Sequence, residues 1–202
     1  MPRLTSLPIE AFDPELRALL AADQKTVREL RPFSIRAHHP ELAKAHAVYG
    51  AALKKHSVLT ARLRELVRIR IAFHNQCRSC MAMRYADAVD DGVTEDLVCS
   101  LEKPYEAPDL TDAERIALRY ADLMATNHLA IDDALYAKLK EHFSQKEIVE
   151  LGMQCAVCVG FGRLSATWNM VEDLPERFKA EGDKPVTPWG PDAWVTARVK
   201  AA

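Results

Sequence analysis

Two pairs of cysteines stand three residues apart in this chain, Cys77 with Cys80 and Cys155 with Cys158, and a fifth cysteine, Cys99, has no such neighbour. Cys-x-x-Cys spacing lets two thiols close a disulfide, reopen it by exchange, or share a metal ion. In a reducing compartment redox or metal chemistry is therefore the first reading, and an odd cysteine count argues against a closed disulfide framework. Zinc held by both pairs fits poorly, because roughly 75 residues separate them and the second falls inside a predicted helix.

The two pairs have different surroundings. Cys77 follows the polar stretch His74-Asn75-Gln76 and opens a predicted helix, so both thiols fall in a first turn, where free backbone N–H groups and the helix dipole favour the thiolate. Arg78 lies between them, and Arg84 stands four residues beyond Cys80 on the same predicted face, adding positive potential. His74 is the nearest residue that titrates close to neutral pH. At a helix C-terminus its charged form is favoured and would stabilise a thiolate or protonate a leaving hydroxide; the same position also suits a capping or solvent-facing histidine. Cys155 and Cys158 are instead in phase with Ile148, Leu151 and Gly162 on an apolar stripe, the setting of inert core thiols. Cys99 reads as a core residue. Neither His38, His39 nor His128 shows a metal-binding spacing, and no phosphate-binding glycine loop or serine-nucleophile elbow is present.

The elements that must position these residues are helices. Only 7 glycines, no Asn-Gly, one Asp-Gly (Asp91-Gly92) without alternating flanks, and little strict alternation leave 3.6-residue periodicity as the dominant pattern. About eight helices are predicted. Asp13-Pro14 opens the first, which ends before Pro32, and Pro40 opens the second. Thr60 caps the third, which runs to about His74, and a fourth runs from Cys77 to Gly92. A short helix follows Thr94. Asp132 opens another, and capping boxes at Thr111/Glu114 and Ser144/Glu147 start the remaining two, the last reaching about Met170. Residues 176–202, with Trp189 and Trp194 among several prolines, are read as an extended tail that docks on another surface, such as a neighbouring subunit.

The chain has 202 residues, 49% of them hydrophobic, enough for a real core. With 27 basic against 29 acidic residues, no broad attraction for nucleic acid or anionic lipid is expected. The longest apolar run, from Met153 to Gly162, contains Gln154 and ends at Arg163, short of the roughly 20 residues a membrane span requires. The first residues lack a signal-peptide core, so a cytoplasmic protein is expected.

Glu65, eleven intervening residues, then Cys77-Arg78-Ser79-Cys80, in the setting Arg-Leu-Arg-Glu-Leu-Val-Arg-Ile-Arg-Ile-Ala-Phe-His-Asn-Gln-Cys, resembles the carboxymuconolactone decarboxylase and AhpD-like alkylhydroperoxidase family. The flanks agree, with His39-Pro40-Glu41-Leu42-Ala43 upstream and Phe143-Ser144-Gln145-Lys146-Glu147-Ile148-Val149-Glu150-Leu151 downstream. The resemblance covers most of residues 10–172. It implies an all-α, AhpD-like helical bundle over residues 1–175 and a homo-oligomer, a dimer, trimer or hexamer. It also implies a peroxidase cycle in which glutamate and histidine relay protons, the second cysteine attacks the peroxide, and the first resolves the disulfide.

This chain departs from that pattern at the last position, where Arg84 replaces the histidine of Glu-x11-Cys-x2-Cys-x3-His. Arginine stays protonated and cannot shuttle a proton, so only the electrostatic half of the role survives. Two antiparallel helices joined at Asn75-Gln76 would place Glu65 and Arg84 at similar depth, which predicts a salt bridge between them, either structural or catalytic. Helix-dipole reasoning favours Cys77 as the attacking thiol, whereas the family pattern implies Cys80, and Cys80 is the expected nucleophile.

The function expected is a thiol-dependent peroxidase or disulfide oxidoreductase that reduces hydroperoxides without metal or organic cofactor. It would draw electrons from an external dithiol or a lipoyl-type reductant. The alternatives are a small organic acid or lactone-processing enzyme of the decarboxylase branch, which generally does not depend on a Cys-x-x-Cys pair, and a redox-sensing oligomer without turnover.

Overall fold

The computed structural model describes residues 2–180, 182 and 185–198. It is mostly helical, as expected, though the elements are more broken than the periodicity suggests. Asp13 caps α1 (Pro14–Leu19) through the N–H groups of Glu15 and Leu16. The single helix predicted as far as Pro32 then splits. Ala21 takes a left-handed conformation (φ 48°), and a capping box of Thr26 with Glu29 starts α2 (Val27–Arg36), with Pro32 inside it. A proline there removes one intrahelical hydrogen bond without ending the helix, because the cap and the buried Leu30, Ser34 and Ile35 hold the turns on either side.

Pro40 opens α3 (Pro40–Lys55), and Thr60 caps α4 (Ala61–His74) as expected. The fourth predicted helix is replaced by α5 (Arg78–Met81), a two-residue strand β1 (Met83–Arg84) and α6 (Ala86–Asp90). After Gly92, with φ 87°, come α7 (Glu95–Ser100), α8 (Asp112–Thr126), α9 (Asp133–His142) and α10 (Gln145–Trp168). The boxes at Thr111/Glu114 and Ser144/Glu147 form, and left-handed Asn169 ends α10.

The core is built around α4, which lies between α8 and α10. Leu66, Val67, Ile69 and Ile71 are wholly buried, with Leu118 and Ala121 of α8 and Leu151 and Cys155 of α10 in the same cluster. Because α4 is covered on several sides, its polar residues cannot all face water. Glu65 and Arg68 are buried on it and must find partners inside the protein. Gly162 lets the turn after α4 approach α10: a Cβ there would lie 2.5 Å from Asn75 Nδ2, which donates to the Cys158 carbonyl at 2.9 Å. By length and composition alone α10 could cross a bilayer, contrary to the expectation from its interrupted apolar run; here it packs on α4 and α8.

The C-terminal segment docks on its own chain. After α11 (Glu176–Lys179), strand β2 (Trp194–Val195) pairs in parallel with β1, Met83 opposite Trp194. The side chain of Gln76 exchanges two hydrogen bonds with the backbone of Val186, at 2.9 and 3.1 Å. Trp189 lies 4.7 Å from the Phe73 ring, and Phe178 is wholly buried against Ala72, Met81 and Ala82.

Candidate active site

At the end of α4, Gln76 adopts a left-handed conformation (φ 50°) and the Cys77 N–H bonds back to the Ala72 carbonyl at 3.1 Å, which turns the chain sharply into α5. Cys77 and Cys80 are joined in a disulfide, their Cα atoms 5.2 Å apart. Cys77 is fully buried and Cys80 only partly, so of the two residues Cys80 is the one in contact with solvent. Because α5 is a single turn, the macrodipole contribution expected at Cys77 shrinks accordingly.

Glu65 does not pair with Arg84. It pairs with Arg68, one turn along α4, through two hydrogen bonds of 2.7 and 2.8 Å, and its Oε1 also accepts from the Tyr85 N–H at 3.1 Å. Arg68 donates further to the Cys80 carbonyl at 2.6 Å and the Met83 carbonyl at 2.7 Å, with its guanidinium 5.1 Å from the centre of the Tyr85 ring. Burial works against its charge, and Glu65 more than offsets this, so its pKa stands above the usual arginine value. The i,i+3 spacing of Glu65 and Arg68 is a signal available in the sequence.

The predicted Glu65–Arg84 bridge assumed a continuous helix after Cys77. Extended backbone at β1 roughly doubles the rise per residue and carries Arg84 off to another face. Its side chain, 1% exposed, takes Glu95 at 2.9 and 3.1 Å and the carbonyls of Met81, Met83 and Pro188. Burial pushes its pKa below the usual arginine value, with Glu95 opposing. Arg84 thus ties β1 to α7 and to the C-terminal segment.

His74 is likewise turned from the dithiol. On α4, Arg68 faces α5, whereas Arg70 and His74 lie about 200° and about 240° around the axis and face α8. There Asp122 accepts from His74 Nε2 (2.7 Å), from Arg70 (2.7 and 3.2 Å) and from the Tyr105 hydroxyl (2.6 Å). Burial alone would raise the Asp122 pKa, but these hydrogen bonds lower it from 3.8 to about 2.

Cys155 and Cys158 sit on α10 as the sequence suggests. Burial raises the Cys155 pKa and pushes that of Cys158 up to about 11. Cys99, expected in the core, is exposed instead, because α7 turns Leu97 and Val98 inward.

Residues 40–123 match the model of the carboxymuconolactone decarboxylase family. A stretch of 122 residues is 30% identical to the uncharacterized protein YnjA of Escherichia coli, covering 60% of this chain and 65% of that one. Over 90 residues the chain is 39% identical to the uncharacterized protein Rv2313c of Mycobacterium tuberculosis, covering 43% of this chain and 31% of that one. The match thus spans less than two thirds of either relative. Among solved structures, a protein of Ralstonia eutropha described as an alkylhydroperoxidase AhpD core, an uncharacterized peroxidase-related protein, superposes with a TM-score of 0.63. The overlap covers 91% of this chain and 97% of that one at 20% identity, a likeness of fold.

Proposed function

We propose, for a chain that belongs over residues 40–123 to the carboxymuconolactone decarboxylase family, a thiol-dependent peroxidase or disulfide oxidoreductase activity at Cys77 and Cys80. The observation that carries this reading is the disulfide itself, which joins a buried cysteine to a partly exposed one beside the Glu65–Arg68 pair. In the reduced protein the Cys80 thiolate attacks the terminal oxygen of a hydroperoxide. The O–O bond breaks, the alkoxide takes a proton and leaves as the alcohol, and Cys80 becomes a sulfenic acid. Cys77 then attacks the Cys80 sulfur, water leaves, and the disulfide closes. A small dithiol or lipoyl-type reductant restores both thiols by two exchange steps that begin at Cys80.

In this scheme Glu65 and Arg68 hold the Cys80 backbone and place a cation beside it, while Arg84 positions β1 and His74 takes no direct part. The proton for the alkoxide comes from water. Stopped-flow oxidation of the reduced protein by cumene hydroperoxide tests the reading. Fast loss of two thiols, abolished in Cys80→Ser, supports it; oxidation at the rate of a free thiol refutes it.

We further propose that the working unit is a homo-oligomer. On α10, Val149, Met153 and Leu164 are exposed at helical spacing, and on α3 Leu42 and Tyr49 are exposed as well. The two helices meet where His46 stacks on Phe161 at 3.9 Å. A second copy would cover this apolar face.

A further inference from the structure

A pocket of about 240 Å³ opens beside the turn that carries Cys77, walled by Arg3, Asn75, Gln76, Arg78, Ser79 and Ser165 among others, and its lining contains no carboxylate. Two of its cations, Arg3 and Arg78, are held only by backbone carbonyls, those of Thr167 at 2.8 Å and Lys179 at 3.3 Å. Two more arginines stand directly behind the wall. Arg36 donates to the Ser165 hydroxyl at 3.2 Å, and Arg163 to the Asn75 side chain at 3.2 Å.

Among the described residues none of these four pairs with a carboxylate. Elsewhere in the same chain Arg17, Arg31, Arg62, Arg68, Arg70, Arg84, Arg115 and Arg198 do, whereas Arg177 is held, like Arg3 and Arg78, by backbone carbonyls. Arg36 is also packed against the rings of Phe33, Phe161 and Trp168, with its guanidinium 5.2 to 5.5 Å from their centres and its Nε buried without an acceptor. In a protein of net charge −2, four uncompensated guanidinium groups around one small polar cavity form a local positive field.

We propose that this pocket binds the anionic group, a carboxylate or a phosphate, of the small molecule that reacts at the Cys77–Cys80 pair. Ser79, in the pocket wall, has its hydroxyl 3.7 Å from Cys77 Sγ, so an anion seated there is one residue from the disulfide. At ~30 Å³ per water the cavity holds the equivalent of about eight waters, room for a phosphate or a short dicarboxylate and too little for a lipid tail. Arg3 and Arg78 supply the planar donors that anion recognition uses. The use of the site rests on the oxidoreductase reading, whereas anion binding itself does not.

Titration calorimetry of the oxidised full chain with inorganic phosphate, and separately with succinate at equal ionic strength, tests the proposal. Saturable binding is expected for at least one, weakened about tenfold in Arg3→Gln and in Arg78→Gln and retained in Arg78→Lys. The anion that binds tells phosphate from carboxylate. No saturable binding of either anion, or affinities unchanged in both glutamine variants, overturns it.

A kinetic arm uses the reduced protein with two disulfides, anionic dithiobis-nitrobenzoate and neutral dithiodipyridine. Each reacts by attack of the Cys80 thiolate on one probe sulfur, loss of the first probe thiolate, and displacement of the second by Cys77. The anionic-to-neutral rate ratio is expected to fall about tenfold in Arg78→Gln, and an unchanged ratio in a dithiol that reacts faster than a free thiol overturns the proposal. If the anion binds and both probes react only as with a free thiol, the pocket stands and the oxidoreductase reading fails.

Discussion

The Arg68 guanidinium donates to the Cys80 carbonyl across 2.6 Å while gripping both carboxylate oxygens of Glu65, so the backbone of Cys80 is anchored to α4 through a buried ion pair. Replacing Arg68 with Met strands the Glu65 charge in the interior. A loss of about 3–5 kcal/mol is expected, read as a lower urea midpoint, with most of it recovered when Glu65→Gln is added. A single variant as stable as the parent would show that the pair is not what holds this corner together.

Arg84→His restores the family motif on paper without restoring the geometry. The side chain at this position faces Glu95 and Pro188, not Glu65. The expected result is no gain in peroxide-dependent thiol oxidation and a lower melting temperature, as the contacts to α7 and the C-terminal segment are lost. A rate increase in a well-folded variant would contradict this placement.

Acid should destabilise the fold in two windows. His46, between Phe33 and Phe161, has its pKa lowered from 6.5 to about 4, mainly by burial, with Arg36 adding to it. A histidine held neutral stabilises the fold above its unfolded pKa, and that stability drains as pH falls from about 6.5 to 4. Asp122, lowered from 3.8 to about 2, contributes about 2 kcal/mol above pH 4 that is lost as pH falls toward 2. Urea melts across pH should therefore flatten in the upper window for His46→Phe and in the lower for Asp122→Asn. Curves parallel to the parent in both would refute the assignment.

Thiol accessibility gives an independent reading of the site. After reduction, brief alkylation at pH 8 followed by peptide mapping should label Cys80 and exposed Cys99 first. Cys158, with its pKa near 11, and buried Cys155 should lag. Early labelling of Cys155 would mean that α10 opens readily.

Light scattering tests the oligomer. Val149→Asp and Leu42→Asp, at sites 56% and 65% exposed in the single chain, should lower the measured mass without unfolding it. A monomeric parent would remove the proposed face.

Much of this protein is written in local chemistry. The caps at Asp13, Thr60, Thr94, Thr111, Asp132 and Ser144 each satisfy backbone donors within a few residues, so they start helices wherever the chain goes. The Cys77–Cys80 spacing is equally local, and the burial that raises the pKa of Cys155 and Cys158 follows from their phase on one helix. The partners of Glu65, His74 and Arg84 depend instead on long-range packing. A two-residue strand paired with a segment more than a hundred residues away breaks the expected helix and turns Arg84 from Glu65. The rotation of α4 between α5 and α8 assigns Arg68 to the dithiol and His74 to Asp122. Side chains adjacent in sequence point in different directions on a buried helix, and which neighbour fills each direction is settled only when the whole chain packs.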